Sequence, residues 1–458
     1  MVEGVALEDL FAIDRRVRAV AAELEASAKA VARGEDETPF EKPSRNELST
    51  LATWRAIAER PVSALDEPLR AGILRWIHAF LLARVSHARS LAFAEARLAG
   101  DDDAPPYAAS LAVLVLGVDD AARVRASDHL VRRVAPVLGE QAGIEELVAE
   151  AGRRSVGLVG AGPRAARAHG QGEARAFDGE AEAAEAILAR TEGALDEAWA
   201  RFRFTRDGVT ERPKTLAFFD GLLARDAREG WPSRHLEAWL AESFREFLRA
   251  GRRPRAVRVP MLAGATSHVR LVGAFGAEVA RASVPSGTPF ALAHEPLAFR
   301  SRVAEVVFAL AVATEPFQRR ALGLTGVEAS VQLRALRRAV LQQARLVAVS
   351  SEVRRRGLRF GGRDHLEFVE ASLRGFVDPR AGAALTARGD GFDFEVLLQG
   401  VELASRAREA LDDDWFRNPR APEWFDEHLG ALTGPYPRLA DAPGAVRLLA
   451  RLLGDHYA

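Results

Sequence analysis

The chain has 458 residues, a formal net charge of -1 at pH 7 and no cysteine. Without cysteine it has no disulfide framework, no thiolate metal ligand and no thiol nucleophile. Its near-neutral net charge provides no overall electrostatic attraction to nucleic acid or to an anionic membrane surface, so we expect neither as a partner. A hydrophobic content of 48% and a charged content of 28% are typical of a globular protein that folds without a metal.

The N-terminus and the longest apolar run predict a cytoplasmic protein. Glu3, Glu8 and Asp9 stand where a secretory signal would carry basic residues. The run from Val306 to Ala313 is far shorter than the roughly 20 apolar residues that a membrane-spanning helix needs.

Apolar residues spaced by three and four positions predict helices through residues 1–154, which we assign to an N-terminal helical lobe. A polar loop from Gly34 to Pro43 separates the first two helices. Ser44 and Glu47 then have the spacing of a capping box for the second helix. The apolar stripes of the first three helices include Leu10, Ile13, Val17, Val20 and Leu24, then Leu48, Leu51, Trp54 and Ile57, then Leu69, Ile73, Trp76, Ile77 and Phe80.

The next segment is rich in glycine. Gly157, Gly160 and Gly162 resemble the phosphate-binding turn of a dinucleotide-binding fold. Such a turn follows a strand and lies among further βαβ units, whereas the neighbouring patterns here are helical. We therefore interpret residues 155–179 as a flexible Gly- and Arg-rich connector and predict no cofactor, with a cofactor turn as the alternative.

Residues 180–458 form the predicted C-terminal helical lobe. A short alternating segment, Ala256 to Pro260, lies inside it, and Phe290 to Pro296 is predicted to be an apolar turn. The basic run Arg354 to Arg356 follows a helix end, where cations suit the helix dipole. The principal predicted helices run from Glu180 to Arg203, Leu236 to Gly251, Ser267 to Val279, Thr325 to Gly357 and Ala445 to Leu453.

The elements in residues 255–356 occur in a specific order: an alternating segment, a helix, an apolar turn with a histidine, and two further helices. That order resembles the catalytic core of the thimet oligopeptidase and oligoendopeptidase family of zinc metallopeptidases. In that family the first helix carries His-Glu-Phe-Gly-His. The five matching positions here are Gly273, Ala274, Phe275, Gly276 and Ala277.

The resemblance implies a relative that has lost peptidase chemistry. In a helical His-Glu-x-x-His motif, two imidazoles four residues apart reach one zinc ion and the glutamate activates its water. Gly273 and Ala277 have no ligating atom, and Ala274 is no base. The family's oxyanion-stabilising His and Tyr are missing from the matching segment, residues 391–400. We therefore predict no catalytic residue.

The family's third zinc ligand is a glutamate shortly before a proline on the next helix. Its nearest match is Glu295, which lies between His294 and Pro296. The vestigial site is then residues 273–277 with His294 and Glu295.

The family fold implied by the resemblance is an all-α, two-lobed body around a channel between the lobes, with at most a few short strands. The function it implies is non-catalytic binding of a peptide or protein segment in that channel. Two alternatives remain: a helical scaffold without a groove, and a metal-dependent hydrolase with a rebuilt site. The residues that could rebuild such a site are His268, His294, Glu295 and Glu305.

Overall fold

The structure, a computed structural model, describes residues 9–32, 47–48, 50–77, 80, 177–193, 196, 227, 229–251, 264–285, 287–358, 362–373, 391–429 and 439–453. Every regular element in these ranges is a helix, and the predicted all-α class is confirmed. Within the same ranges, no helix has both the length and the apolar content needed to cross a bilayer.

The helices are defined as follows; residues 67–77 are also helical. In chain order they are α1 (Leu10–Ala32), α2 (Leu51–Ala58), α3 (Glu180–Arg190), α4 (Leu236–Ser243), α5 (Arg245–Arg249), α6 (Gly264–Ala282), α7 (Phe290–Val312), α8 (Glu315–Arg320), α9 (Gly326–Arg355), α10 (Arg363–Ser372), α11 (Gly391–Leu411), a 3-10 helix (Trp415–Arg417), α12 (Ala421–Leu429) and α13 (Ala442–Leu453).

The long helices begin and end close to their predicted positions. α1, α6, α9 and α13 all contain the predicted apolar stripes. α9 starts with a capping box, in which the Thr325 side chain accepts from the third residue and Glu328 accepts from the Thr325 amide. These boundaries depend on residues within a few positions of each other, which explains why sequence pattern alone finds them.

Four local predictions need correction. The helix predicted from Glu180 to Arg203 is interrupted at Thr191, whose Oγ1 donates to the Ile187 carbonyl in a turn; residues 192, 193 and 196 are helical again, and 194–195 and 197–203 lie outside the described residues. The helix predicted up to Gly251 is broken at Phe244 into α4 and α5.

The remaining two corrections concern helix starts. The predicted second helix contains Leu48, but α2 begins at Leu51, and its N-cap Thr50 accepts from Thr53 N at 3.0 Å. The capping box at Ser44 stays a prediction, because Ser44 lies outside the described residues. The apolar turn predicted at Phe290 to Pro296 is the beginning of α7.

Two hydrophobic clusters organise the described helices. The N-terminal cluster joins α1, α2 and residues 67–77, and reaches the rest of the chain at Ala291. The main cluster surrounds α7 and α11, with α3, α6 and α9 packed around them. α11 is buried at every position from 394 to 401. A helix enclosed on all sides is a core element.

The predicted connector, residues 155–179, lies outside the described residues except at 177–179, and so does the alternating segment 256–260. Residues 81–176 are likewise outside. The boundary of the lobes and the channel between them therefore stay predictions.

Helix α3 is fixed to α9 at both ends by buried polar groups. At its start, Glu180 accepts from Ser351 and Arg354. At its end, the buried Arg345 donates to the Leu188 carbonyl at 2.5 Å and to Thr191 Oγ1 at 2.7 Å. The same guanidinium donates to the Ser372 carbonyl at 2.6 Å, so one side chain closes the ends of α3 and α10.

The basic run at the end of α9 has partners within the fold. Arg355 donates twice to Glu352, at 2.7 Å to each oxygen, and Arg356 donates at 2.9 Å. The Glu352 side chain is 0% exposed. Burial by itself would raise the pKa of Glu352, but the hydrogen bonds and charges of the two arginines lower its pKa below the ordinary value.

We predict that Glu352→Gln destabilises the fold in a pH-dependent way. Because the pKa is lower in the folded chain, the ionised carboxylate stabilises the fold above the unfolded carboxyl pKa of about 4.3, and this stabilisation is lost as pH falls through the folded pKa. At pH 7 the loss should be about 1–3 kcal/mol, shrinking toward zero under acid conditions. Denaturant titrations across that pH range measure it.

The control is Glu367→Gln, which removes an exposed carboxylate paired with Arg363. It should change stability little at any pH, because exposed pairs contribute little. If Glu352→Gln lowered the free energy of unfolding by the same amount at all pH values, the ionised carboxylate of Glu352 would not be the source of the stabilisation.

Candidate functional site

Residues 273–277 lie in the middle of α6 and face its neighbour α7. Gly273, Phe275, Gly276 and Ala277 are buried, and Ala274 is half-buried. The stretch that resembles a peptidase motif is therefore mostly inside the packed contact between two helices.

The two glycines allow that contact to be unusually close. A Cβ added at Gly276 would lie 2.5 Å from Phe308 Cγ. A Cβ at Gly273 would lie 3.0 Å from Glu305 Cγ and 3.1 Å from the Glu305 carbonyl oxygen. Both distances are below ordinary carbon contact, so the spacing of α6 and α7 requires residues without side chains here.

Phe308 occupies the space above Gly276 and is the centre of an aromatic cluster. Its ring centroid lies 5.2 Å from those of Phe247 and Trp415, and 5.3 Å from that of Phe244. Phe275 joins the cluster at 5.0 Å from Phe244. These spacings are typical of favourable tilted and edge-on aromatic pairs. The space beside Gly276 is thus filled by core side chains.

His268, one of the four residues considered for a metal site, is a buried core histidine. Its ring lies 4.8 Å from that of Trp231 and 5.7 Å from that of Trp239. Its Nε2 lies 3.0 Å from the Pro232 carbonyl oxygen. The side chain is 2% exposed. This environment fixes α6 against the segment before α4.

His294 lies on the surface of α7. It is exposed, and its ring lies 4.8 Å from that of Phe290. Because Phe290 to Pro296 begins a helix and is no separate turn, the histidine projects from a regular helical surface.

Of the four residues considered for a metal site, the three whose side chains the structure describes (His268, His294 and Glu305) are not grouped as metal ligands. His294 and Glu305 are on the same helix, eleven residues apart, which places them about 16 Å apart along the axis. A zinc ion needs ligands at about 2 Å. The side chain of Glu295 lies outside the described part of the chain. Among the described residues, no three His, Asp or Glu side chains are grouped for metal binding.

The structure places Glu305 against Gly273, the first of the five positions that match the peptidase motif. In the sequence, Glu305 is a candidate only for a rebuilt metal site. It is exposed, and its Cγ packs over Gly273. An exposed carboxylate beside a glycine and an alanine has no adjacent nucleophile, imidazole or cation among residues 273–277. The arrangement supports packing and offers no catalytic pair.

A small surface depression lies toward the C-terminal end of α7, away from this segment. Its lining includes Leu310, Thr314, Arg408 and Trp415. Arg408 is paired with Asp413 at 2.6 Å, and Thr314 Oγ1 donates to the Ala311 carbonyl. The polar groups at this depression are therefore engaged with the protein itself.

The comparisons with known proteins identify no relative. No family model, no curated protein and no solved structure matches the chain.

We predict that Gly276→Ala destabilises the fold by about 1–3 kcal/mol, because the new methyl group would overlap the Phe308 ring. Gly193→Ala is the control, since a Cβ there meets no atom within 4 Å. It should be neutral or stabilising by up to about 1 kcal/mol. Thermal and denaturant unfolding measure both.

A double variant tests the physical cause. Phe308→Leu removes the ring atoms that the new methyl group would meet, so Gly276→Ala should cost less in that background than in the original chain. Equal costs in the two backgrounds would mean that the Phe308 contact is not the reason.

Proposed function

We propose that this chain is a non-catalytic helical scaffold, a protein that acts through binding on its surface and hydrolyses nothing. The observation that carries the proposal is the close contact of α6 and α7 at Gly273 and Gly276. Gly273, which matches a zinc-ligand position of the resembling family, and Gly276 hold two core helices together here.

The geometry favours a scaffold over peptide binding at these residues. A ligand can touch Phe275, Gly276 or Ala277 only if the surrounding helices move, because all three are buried, and Gly276 lies directly against Phe308 of α7. Separating α6 from α7 would expose the aromatic cluster around Phe308. Exposing that apolar surface costs far more free energy than the binding of a peptide there would provide.

The geometry also weighs against a rebuilt hydrolase site. His268 is held between two tryptophans, and His294 is exposed on a different helix. The helix rise separates His294 from Glu305. The lack of cysteine in the sequence fits the cytoplasmic location that we propose for the scaffold.

The first test is metal content together with peptide hydrolysis, on protein purified without chelators. We expect zinc well below one ion per chain. We also expect no chelator-sensitive cleavage of a mixed fluorogenic peptide library. The matched variants are His294→Ala and His428→Ala, since both histidines are exposed on helices.

Stoichiometric metal that disappears in His294→Ala and persists in His428→Ala would replace the scaffold with a metal-dependent enzyme. Chelator-sensitive hydrolysis would do the same.

A second measurement separates the scaffold from a peptide groove. Ala274 is the one residue of 273–277 that is half-buried. An arginine there would therefore obstruct a groove above the segment without entering the contact between α6 and α7. We expect Ala274→Arg to leave binding of the same peptide library unchanged. Peptide binding that is lost in this variant, with the fold intact by circular dichroism, would favour the groove.

A further inference from the structure

The N-terminal cluster meets α7 through the buried carboxylate of one residue and a small apolar contact. Asp14 of α1 is 6% exposed, and its carboxylate reaches the first turn of α7. Oδ2 accepts from Phe290 N at 2.8 Å and Oδ1 accepts from Ala291 N at 2.7 Å. The partners are 276 and 277 residues away in the sequence.

Asp14 performs the task of an N-cap for a helix to which it does not belong. The residue before α7 is Pro289, which makes no side-chain cap hydrogen bond. The first amides of a helix have no partner within it, and the helix dipole favours a negative charge beside them. The carboxylate of Asp14 satisfies two of these amides and supplies that charge.

The remaining contact at this junction is small and apolar. Ala291 belongs to the N-terminal cluster, and Phe290 and Leu292 pack against it partly buried. A Cβ added at Gly72 would lie 2.6 Å from the Ala291 carbonyl oxygen, so the helical segment 67–77 approaches the α7 backbone closely. Among the described residues, the apolar members that α7 contributes to this cluster are therefore residues 290–292, in its first turn.

We propose that α1, α2 and residues 67–77 form a docking unit that detaches from α7 and reattaches to it as one body, with Asp14 as the latch. Each half of the junction has its own apolar core, and Ala291 is the one buried residue of the N-terminal cluster that belongs to α7, so separation leaves most of each core intact. Opening at such a junction needs less free energy than global unfolding. The detached state exposes Phe290, Ala291 and Leu292 together with two unpaired amides.

This inference is independent of the proposed scaffold function, since it concerns only the docking of one part of the chain on another. It makes α7 a two-state element: its first turn is covered in one state and open to a partner in the other.

Amide hydrogen exchange on the full chain tests the proposal. In Asp14→Ala, amides of α1 and 67–77 away from the latch, such as those of Val17 and Ile73, should exchange about ten-fold faster. Amides of α11, such as that of Val401, should exchange at the original rate. Asp14→Asn keeps one acceptor and should give a smaller acceleration.

The control is Asp9→Ala. Asp9 Oδ1 accepts from Ala12 N at 2.6 Å, so it caps α1 within its own helix and does not reach α7. This variant should leave exchange in residues 67–77 unchanged.

Two outcomes would overturn the docking unit. One is equal acceleration of α1 and α11 in Asp14→Ala, which would mean one cooperative unit. The other is no acceleration in residues 67–77. If Asp14→Ala does not fold, hydrogen exchange of the original chain is measured at low denaturant concentrations. If the opening free energies of amides in α1 and α11 then fall with the same dependence on denaturant, the two parts open together and separate docking is excluded.

Discussion

The close approach of α6 and α7 at Gly276 is the constraint on which the rest of the structure depends. With no side chain at Gly276, Phe308 lies directly against the α6 backbone and its ring reaches the aromatic residues of α4, α5, α12 and the 3-10 helix. α11 then packs on α7 at Gly400, where an added Cβ would overlap Val306. Three central helices are thus spaced by positions that lack side chains, and the other helices pack around them.

A second theme is the closure of helix ends by side chains from distant elements. Asp14 caps the start of α7, and Arg345 closes the ends of α3 and α10. At the other end of α7, Gln318 donates to the Val312 carbonyl at 2.6 Å and accepts from Gln332 at 2.8 Å. Each of these groups is buried, where an unsatisfied amide or carbonyl is costly. The polar contacts therefore fix which helices are neighbours, while apolar burial supplies the driving force.

The close helix contacts and the capping by distant side chains both favour the proposed scaffold function. The segment that resembles a peptidase motif has no ligating side chain, and Gly273 and Gly276 pack against α7. A histidine at position 273 would place its Cβ 3.0 Å from Glu305 Cγ before any ring atom is added. The absence of side chains at positions 273 and 276 allows the two helices to approach this closely.

The sequence by itself determined the all-α class, the extents of α1, α6, α9 and α13, and the absence of ligating atoms at 273–277, because these depend on local periodicity and on residue chemistry. Only the tertiary structure decided that α7 begins at Phe290, since its cap is Asp14 on another helix. It also decided that His268 is buried and His294 exposed, although both stand among apolar residues in the sequence. Burial and capping by distant groups are properties of neighbours far along the chain, and no local pattern contains them.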